Sequence, residues 1–488
     1  MRPPFPSQGA LLIAFVTAMG GAGCSAVVDF DECATDTDCR SGQRCDPESK
    51  GCYTPEPGAG PPAGAAFGAA CAVDADCESR RCAPEADRCT RTCTTDADCA
   101  DAAGTQTCDA GTCTFRLASP LKPPVKVGFL YVGPVADFGW TKTHDDGRKI
   151  VEAYFADEGV DLETTYEPAV APENAPAVID RMLTEDGVDV VIGTSFDFVT
   201  ALETAAADHP EARFLSCSGF VSGRESEKNL GSYFGKMQQA VFLAGRTAAQ
   251  ATRSNVVGVI GSVPIPELVR HINAFTIGAR QAKPEVSVQV RWVNAFFAPE
   301  AEEAAAHELI DAGADVIWSS TDTQIALQVA QQRGEGAPAP IYALGNDNPD
   351  ACDFAPEICL TTPYWNWGPV LIRQISGMLD GTWDYRDLVW EGIKGDAEES
   401  IVYLAPVNPQ VLPNANLEVE ALIQRMAQGE LDPFDGPLKD NAGTVRVAAG
   451  ERIADAETLR MCWFVEGVYE PGPGSVPATV PPLCDGAR

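Results

Sequence analysis

Short runs of consecutive apolar residues alternate along most of this chain with longer segments whose apolar positions recur every three or four residues. From Lys126 to Tyr131 the run KVGFLY has strand length and ends in a Gly/Pro loop; Ile150, Val151, Tyr154 and Phe155 then share one face of a helix. The unit recurs. Strands are predicted at 188–193, 213–217, 255–261, 286–293, 314–319 and 341–345, and helices at 266–282, 299–312 and 322–334. Pro299 suits a first helical position, where its missing N–H costs no bond, and Gly334 suits a stop. Strands that are apolar throughout belong to sheets covered on both faces, so the expected class is α/β with parallel sheets. There are more such units than one core holds, which predicts two lobes. Ligands of open α/β sheets sit beyond the carboxyl ends of the strands, so two lobes imply a cleft.

The first 118 residues follow another pattern. Ala10 to Met19 is apolar but too short to span a bilayer, and Gly21-Ala22-Gly23 precedes Cys24. This arrangement resembles a bacterial lipobox, which makes 1–23 an export signal and Cys24 the lipidated first residue of an anchored protein. Twelve of the 18 cysteines then fall into three repeats. The repeats open with Cys33-ATDTD-Cys39, Cys71-AVDAD-Cys77 and Cys93-TTDAD-Cys99, and close with Cys45/Cys52, Cys82/Cys89 and Cys108/Cys113. Units this poor in apolar residues need covalent links in place of a core. Two disulfides per repeat are expected, with three pairings open for each. The spacings lack the C-x2-C knuckles of structural zinc sites. In the later region Cys352 with Cys359 and Cys462 with Cys484 are expected to pair, leaving Cys217 as the free thiol. The predicted organisation is a stalk at 24–118, a two-lobed domain at 119–470 and a Pro-rich tail at 471–488.

Charge narrows the partners. With 35 Lys+Arg against 70 Asp+Glu the formal charge is −35, which repels nucleic acid. No H-E-x-x-H, G-x-S-x-G, G-x-x-x-x-G-K-[ST] or G-x-G-x-x-G motif is present, so the chain reads as a binding protein rather than an enzyme, with no cofactor or metal. What gathers after the predicted strands is aromatic and acidic. Asp137, Trp140 and Thr141 follow the first strand; Phe196 and Phe198 follow the next; Asp322 and Asp347 end later ones; Trp365 and Trp367 sit in TTPYWNWG. Aromatic faces beside polar groups suit a flat heteroaromatic ligand, stacked and hydrogen-bonded. Asp322 also stands where a helix cap would stand.

Several segments together resemble the basic membrane protein family of ABC-transporter solute-binding lipoproteins, which includes purine nucleoside receptors. They are Gly133–Gly147 (GPVADFGWTKTHDDG), Val263-Pro-Ile-Pro-Glu267, Ile272–Arg280, Trp365-Asn-Trp-Gly-Pro369 and Asp432–Pro437, and the resemblance runs over 126–468. It implies a periplasmic-binding-protein-like fold (type I) with three interlobe crossovers, a partner permease and ATPase, an extracytoplasmic location and a purine ligand. Gly139, Trp140 and Thr141 stand where nucleoside-binding members carry S-F-N. Trp365 replaces a lysine that serves the ribose in those members, which points to a free, adenine-like base. A monomer delivering it to an importer is the expectation; a surface sensor or adhesion receptor using the cysteine repeats is the alternative.

Overall fold

The computed structural model describes residues 120–219, 229–385, 388–472, 476–481 and 484, with pieces of the N-terminal region at 44–45, 52–53, 82–83, 88–94, 107–109 and 112–114. The signal segment, Cys24 and most of the stalk lie outside the described residues. Within the stalk, two-stranded ladders set Cys45 opposite Cys52, Cys82 opposite Cys89 and Cys108 opposite Cys113, so the three repeats close in the same way.

The first lobe supplies β1 (Val125–Leu130), β2 (Leu162–Glu167), β3 (Val190–Gly193), β4 (Arg213–Cys217) and β5 (Leu230–Gly235), with α1 (Trp140–Asp157), α2 (Ala175–Thr184) and α3 (Val199–Asp208) between them. Helix α4 (Met237–Ala251) leads into the second lobe: β6 (Val256–Gly261), β7 (Ser287–Trp292), β8 (Val316–Ser319) and β9 (Tyr342–Leu344), joined by α5 (Pro266–Ala282), α6 (Pro299–Asp311) and α7 (Ile325–Gly334). The chain then recrosses through β10 (Pro363–Trp365) and α8 (Trp367–Asp380) to β11 (Leu388–Glu391). It pairs β12 (Val402–Leu404) antiparallel with β10 and returns to the second lobe as β13 (Val468–Tyr469). These are three crossovers. One sheet has the order β11-β5-β4-β3-β1-β2, the other β9-β8-β6-β7-β13, and every neighbour in both is parallel.

One buried apolar cluster runs through both lobes, from Phe129 and Tyr233 through Phe242 and Phe275 to Val288 and Trp318. Its spine is the pair α4 and α5. A Cβ on Gly245 would lie 2.1 Å from the Phe275 carbonyl oxygen, and one on Gly278 would lie 2.1 Å from that of Phe242. The two backbones touch because each helix presents a glycine to the other.

The central strands fall within a few residues of the sequence expectation. Helix α7 begins at Ile325 rather than Asp322, with Gln324 as its cap, so Asp322 stays in the loop and caps no helix. Cys352 is bonded to Cys359 and Cys462 to Cys484, while Cys217 is a buried free thiol. The Pro-rich tail is tethered by the Cys462–Cys484 bond, with Ala478 and Cys484 buried in the main core and the Ala478 N–H bonded to the Val468 carbonyl.

Candidate functional site

Both sheets direct the carboxyl ends of their strands into one cleft, and its lining follows from that. Gly133 to Thr141 come after β1, Ser195 to Asp197 after β3 and Ser218 after β4. Glu267, Leu268 and His271 come from the first turns of α5. Phe296 and Phe297 follow β7, Ser320 and Asp322 follow β8, Asn346 and Asp347 follow β9, and Trp365 ends β10. The lobes meet across it. A Cβ on Gly139 would lie 2.7 Å from the Asp322 Cα, and Gln324 Nε2 donates to the Phe138 carbonyl at 3.3 Å. Asp322 also accepts the backbone N–H of Trp140.

Seven of the nine side chains expected at the site line the cleft: Asp137, Trp140, Thr141, Phe196, Asp322, Asp347 and Trp365. The other two do not. Phe198 points into the core of the first lobe with Leu130, Val191 and Phe214, because the 3₁₀ turn Phe196–Phe198 presents only its first ring to the cleft. Trp367 is fully buried behind Trp365, stacked on it at 4.7 Å and on His144 at 4.4 Å.

Roles shift among the seven. The Asp137 carboxylate accepts from the N–H groups of Gly139, Thr141 and Lys142, each at 3.0 Å, so it caps the start of α1. Trp365 stacks on Trp367 and Phe234 and is only 3% exposed, so most of its ring serves packing. Trp140 donates its indole N–H to the Thr194 carbonyl at 2.7 Å. The accessible rings are Phe196 from one lobe and Phe296 and Phe297 from the other. The two phenylalanines after β7, like Glu267 and His271 on α5, were missed as site residues. An acid and a histidine four apart, at the start of a helix that follows a strand, are the signal that could have found the last two.

Electrostatics set the character of the cleft. Among the described residues, its lining holds the carboxyls of Asp137, Asp197, Glu267, Asp322 and Asp347 and no lysine or arginine. Burial raises Glu267, against the pull of Arg270, and also raises Asp197, against a Ser195 hydrogen bond. Asp322 is held well above the usual carboxylate range, first by burial and then by the charges of Asp347 and Asp137. Asp347 is pushed up to about 8 by burial and by Glu267 and Asp137, opposed by the Trp365 indole, which donates to its Oδ1 at 3.0 Å. Asp347 holds a left-handed φ of 62°, fixed by backbone bonds to Pro363 and Trp365. His271 is 4% exposed; burial, then the Arg270 charge, depresses its pKa well below the usual value, and its Nε2 has no partner. The Thr141 hydroxyl is likewise buried and unpartnered. Unpaired polar atoms facing a cleft are groups a ligand can satisfy.

Residues 124–415 match the family model described as ABC transporter substrate-binding protein PnrA-like. The chain is 36% identical over 355 residues to a purine-binding protein of Brucella abortus (strain 2308), covering 72% of this chain and 95% of that one. It is 32% identical over 359 residues to a putative ABC transporter glucose-binding protein of Haloferax volcanii, covering 72% and 82%. A solute-binding protein of an ABC transporter system from Conexibacter woesei shares the fold with a TM-score of 0.51 at 20% identity, over 63% of this chain and 98% of that one. With the family model matched over 124–415 and a relative at 36% identity over most of its length, the chain belongs to the PnrA-like family of ABC transporter substrate-binding proteins.

Proposed function

We propose that this protein is a lipid-anchored, extracytoplasmic binding component of an ABC importer that captures a free purine base, adenine-like, as a monomer and delivers it to a permease driven by an ATPase. The observation that carries the reading is the cleft, with phenylalanines from both lobes above carboxyls and no cation in its described lining. Phe196 on one side and Phe296 or Phe297 on the other are suited to sandwich a flat ring; stacking of this kind contributes roughly 1–3 kcal/mol per base and does not distinguish bases. Discrimination falls to acceptors and donors. Asp322 and Asp347 can accept ring or exocyclic N–H groups, and the Thr141 hydroxyl and His271 Nε2 are unpaired. A buried acceptor left without its partner costs about 1–3 kcal/mol, enough to sort ligands by their edges. With no lysine or arginine in its described lining, the cleft offers a phosphate no counter-charge, which disfavours nucleotides. The purine-binding relative at 36% identity supports this ligand class.

The relative named as glucose-binding favours a second reading, a sugar whose hydroxyls meet the carboxyls. Titration decides between them, following tryptophan fluorescence and melting temperature with adenine, hypoxanthine, adenosine, guanosine, riboflavin and glucose. Adenine or hypoxanthine binding tighter than their nucleosides is expected. Nucleosides binding while free bases do not would mean that Trp365 leaves room for ribose. Glucose alone binding would replace the purine with a sugar, and indifference to the whole set would remove the purine assignment.

A further inference from the structure

Two rings outside the ligand cleft meet across its mouth. Phe138 belongs to the loop before α1 in the first lobe, and Phe354 ends the 3₁₀ turn Pro349–Phe354 in the second. Their centroids lie 5.0 Å apart with an interplanar angle of 82°, an edge-to-face pair. Neither lines the cleft, and both stay substantially exposed, Phe138 at 46% and Phe354 at 36%. Each stands on a rigid base. Asp137 fixes the turn into α1 directly before Phe138. Ala351 and Ala355 anchor the turn of Phe354 in an apolar cluster with Leu327 and Ala343, and the Cys352–Cys359 bond closes it. Phe138 holds a φ of 59°, a left-handed conformation that is costly for a bulky side chain and persists only where its surroundings fix it. Part of that fixing comes from the other lobe: Gln324 donates to the Phe138 carbonyl at 3.3 Å, and the close approach of Gly139 to the Asp322 Cα leaves no room for a side chain.

We propose that the Phe138–Phe354 pair, with the Gln324 bond beside it, is a latch that sets how long a captured ligand stays, without touching the ligand. The inference rests on the binding-protein reading, and on the purine only for its probe. Asp137 and Trp140 line the cleft on the segment that carries Phe138, and Asn346 and Asp347 line it on the segment that carries Phe354. Parting these segments therefore uncovers the ligand and breaks the pair in one movement. A contact made only with the lobes together favours the closed form whatever lies inside. It slows release and leaves encounter with the open form unhindered, so its effect falls on the dissociation rate. It is also blind to the ligand's edges. Loss of the pair raises the dissociation rate by one common factor, about three- to tenfold, for every ligand, while the preference among ligands stays as it was.

Stopped-flow tryptophan fluorescence with adenine and with hypoxanthine tests the latch in full chains carrying Phe138→Ala, Phe354→Ala or both, with circular dichroism confirming that each variant folds. Each single variant should release both bases about three- to tenfold faster, with association no slower and the ratio between the bases unchanged. Because the rings act on each other, the double variant should release no faster than the quicker single one. Factors that multiply in the double variant, a changed ratio between the bases, or an unchanged dissociation rate each overturn the proposal. Hydrogen exchange of the ligand-free chain is the readout that needs no ligand. Phe354→Ala should lower amide protection across the mouth, at 138–141, with α4 and α5 as protected as in the wild type. Protection at 138–141 that stays at the wild-type level overturns the latch whatever adenine does. Its loss in a chain that binds neither base leaves the latch standing and removes the purine reading instead.

Discussion

Because the Asp137 carboxylate accepts three backbone N–H groups at the start of α1, its removal uncovers donors that the helix cannot satisfy itself. Asp137→Ala is expected to destabilise the protein by about 1–2 kcal/mol, read as a lower midpoint in urea unfolding with an unchanged slope. A loss of only a few tenths would mean that water replaces the cap. At this scale the sequence marks the cleft better than it marks the work of each side chain. Acids and aromatics directly after apolar strands are visible because strand ends are visible. Whether Asp137 faces a ligand or its own helix depends on where the next amides lie, which spacing alone does not encode. Phe198 and Trp367 fail for a related reason: the 3₁₀ turn sends Phe198 into the core of the first lobe, and Trp367, opening α8, stacks behind Trp365, which covers it from the cleft.

The strands legible from apolar runs are those covered on both faces, such as β3 and β8, buried at every position. The first sheet's edge strand β2, Leu-Glu-Thr-Thr-Tyr-Glu, buries only its first residue and gives no such run. Strand β5 contains two glycines that dilute its signal, although all six of its residues are buried. Helix packing is equally hidden from periodicity. The contact between α4 and α5 depends on Gly245 and Gly278, where added methyls would collide with a carbonyl oxygen rather than with a side chain that can turn aside. Gly278→Ala should therefore force the helices apart and cost about 1–3 kcal/mol despite alanine's better helix propensity. Chemical denaturation of that variant checks the sign; a gain in stability would show that the helices separate freely.

For the whole molecule, the excess of 70 acidic over 35 basic residues is a property of the surface and of the cleft alike. It fits a partner that is neither nucleic acid nor a phosphorylated solute. Two lobes were legible from the number of strand–helix units, yet the sequence does not reveal how far they share a core. The buried cluster through α4 and α5 joins Phe129 of the first sheet to Trp318 of the second, where Phe275 stacks on Trp318 at 5.1 Å. Lobes connected only by linkers would melt separately; lobes with a common core should not. Differential scanning calorimetry of the full chain, with disulfides intact, is expected to give one transition for the lobed region, its calorimetric and van't Hoff enthalpies agreeing. On the proposed purine reading, adenine at a hundred times its Kd should add about 2.7 kcal/mol to that single transition. Two resolved peaks, of which adenine moves one, would place the binding energy in a single lobe and make α4 and α5 a hinge between independent units. One peak moved as a whole would mean that capturing the ligand and holding the lobes together draw on the same buried helices.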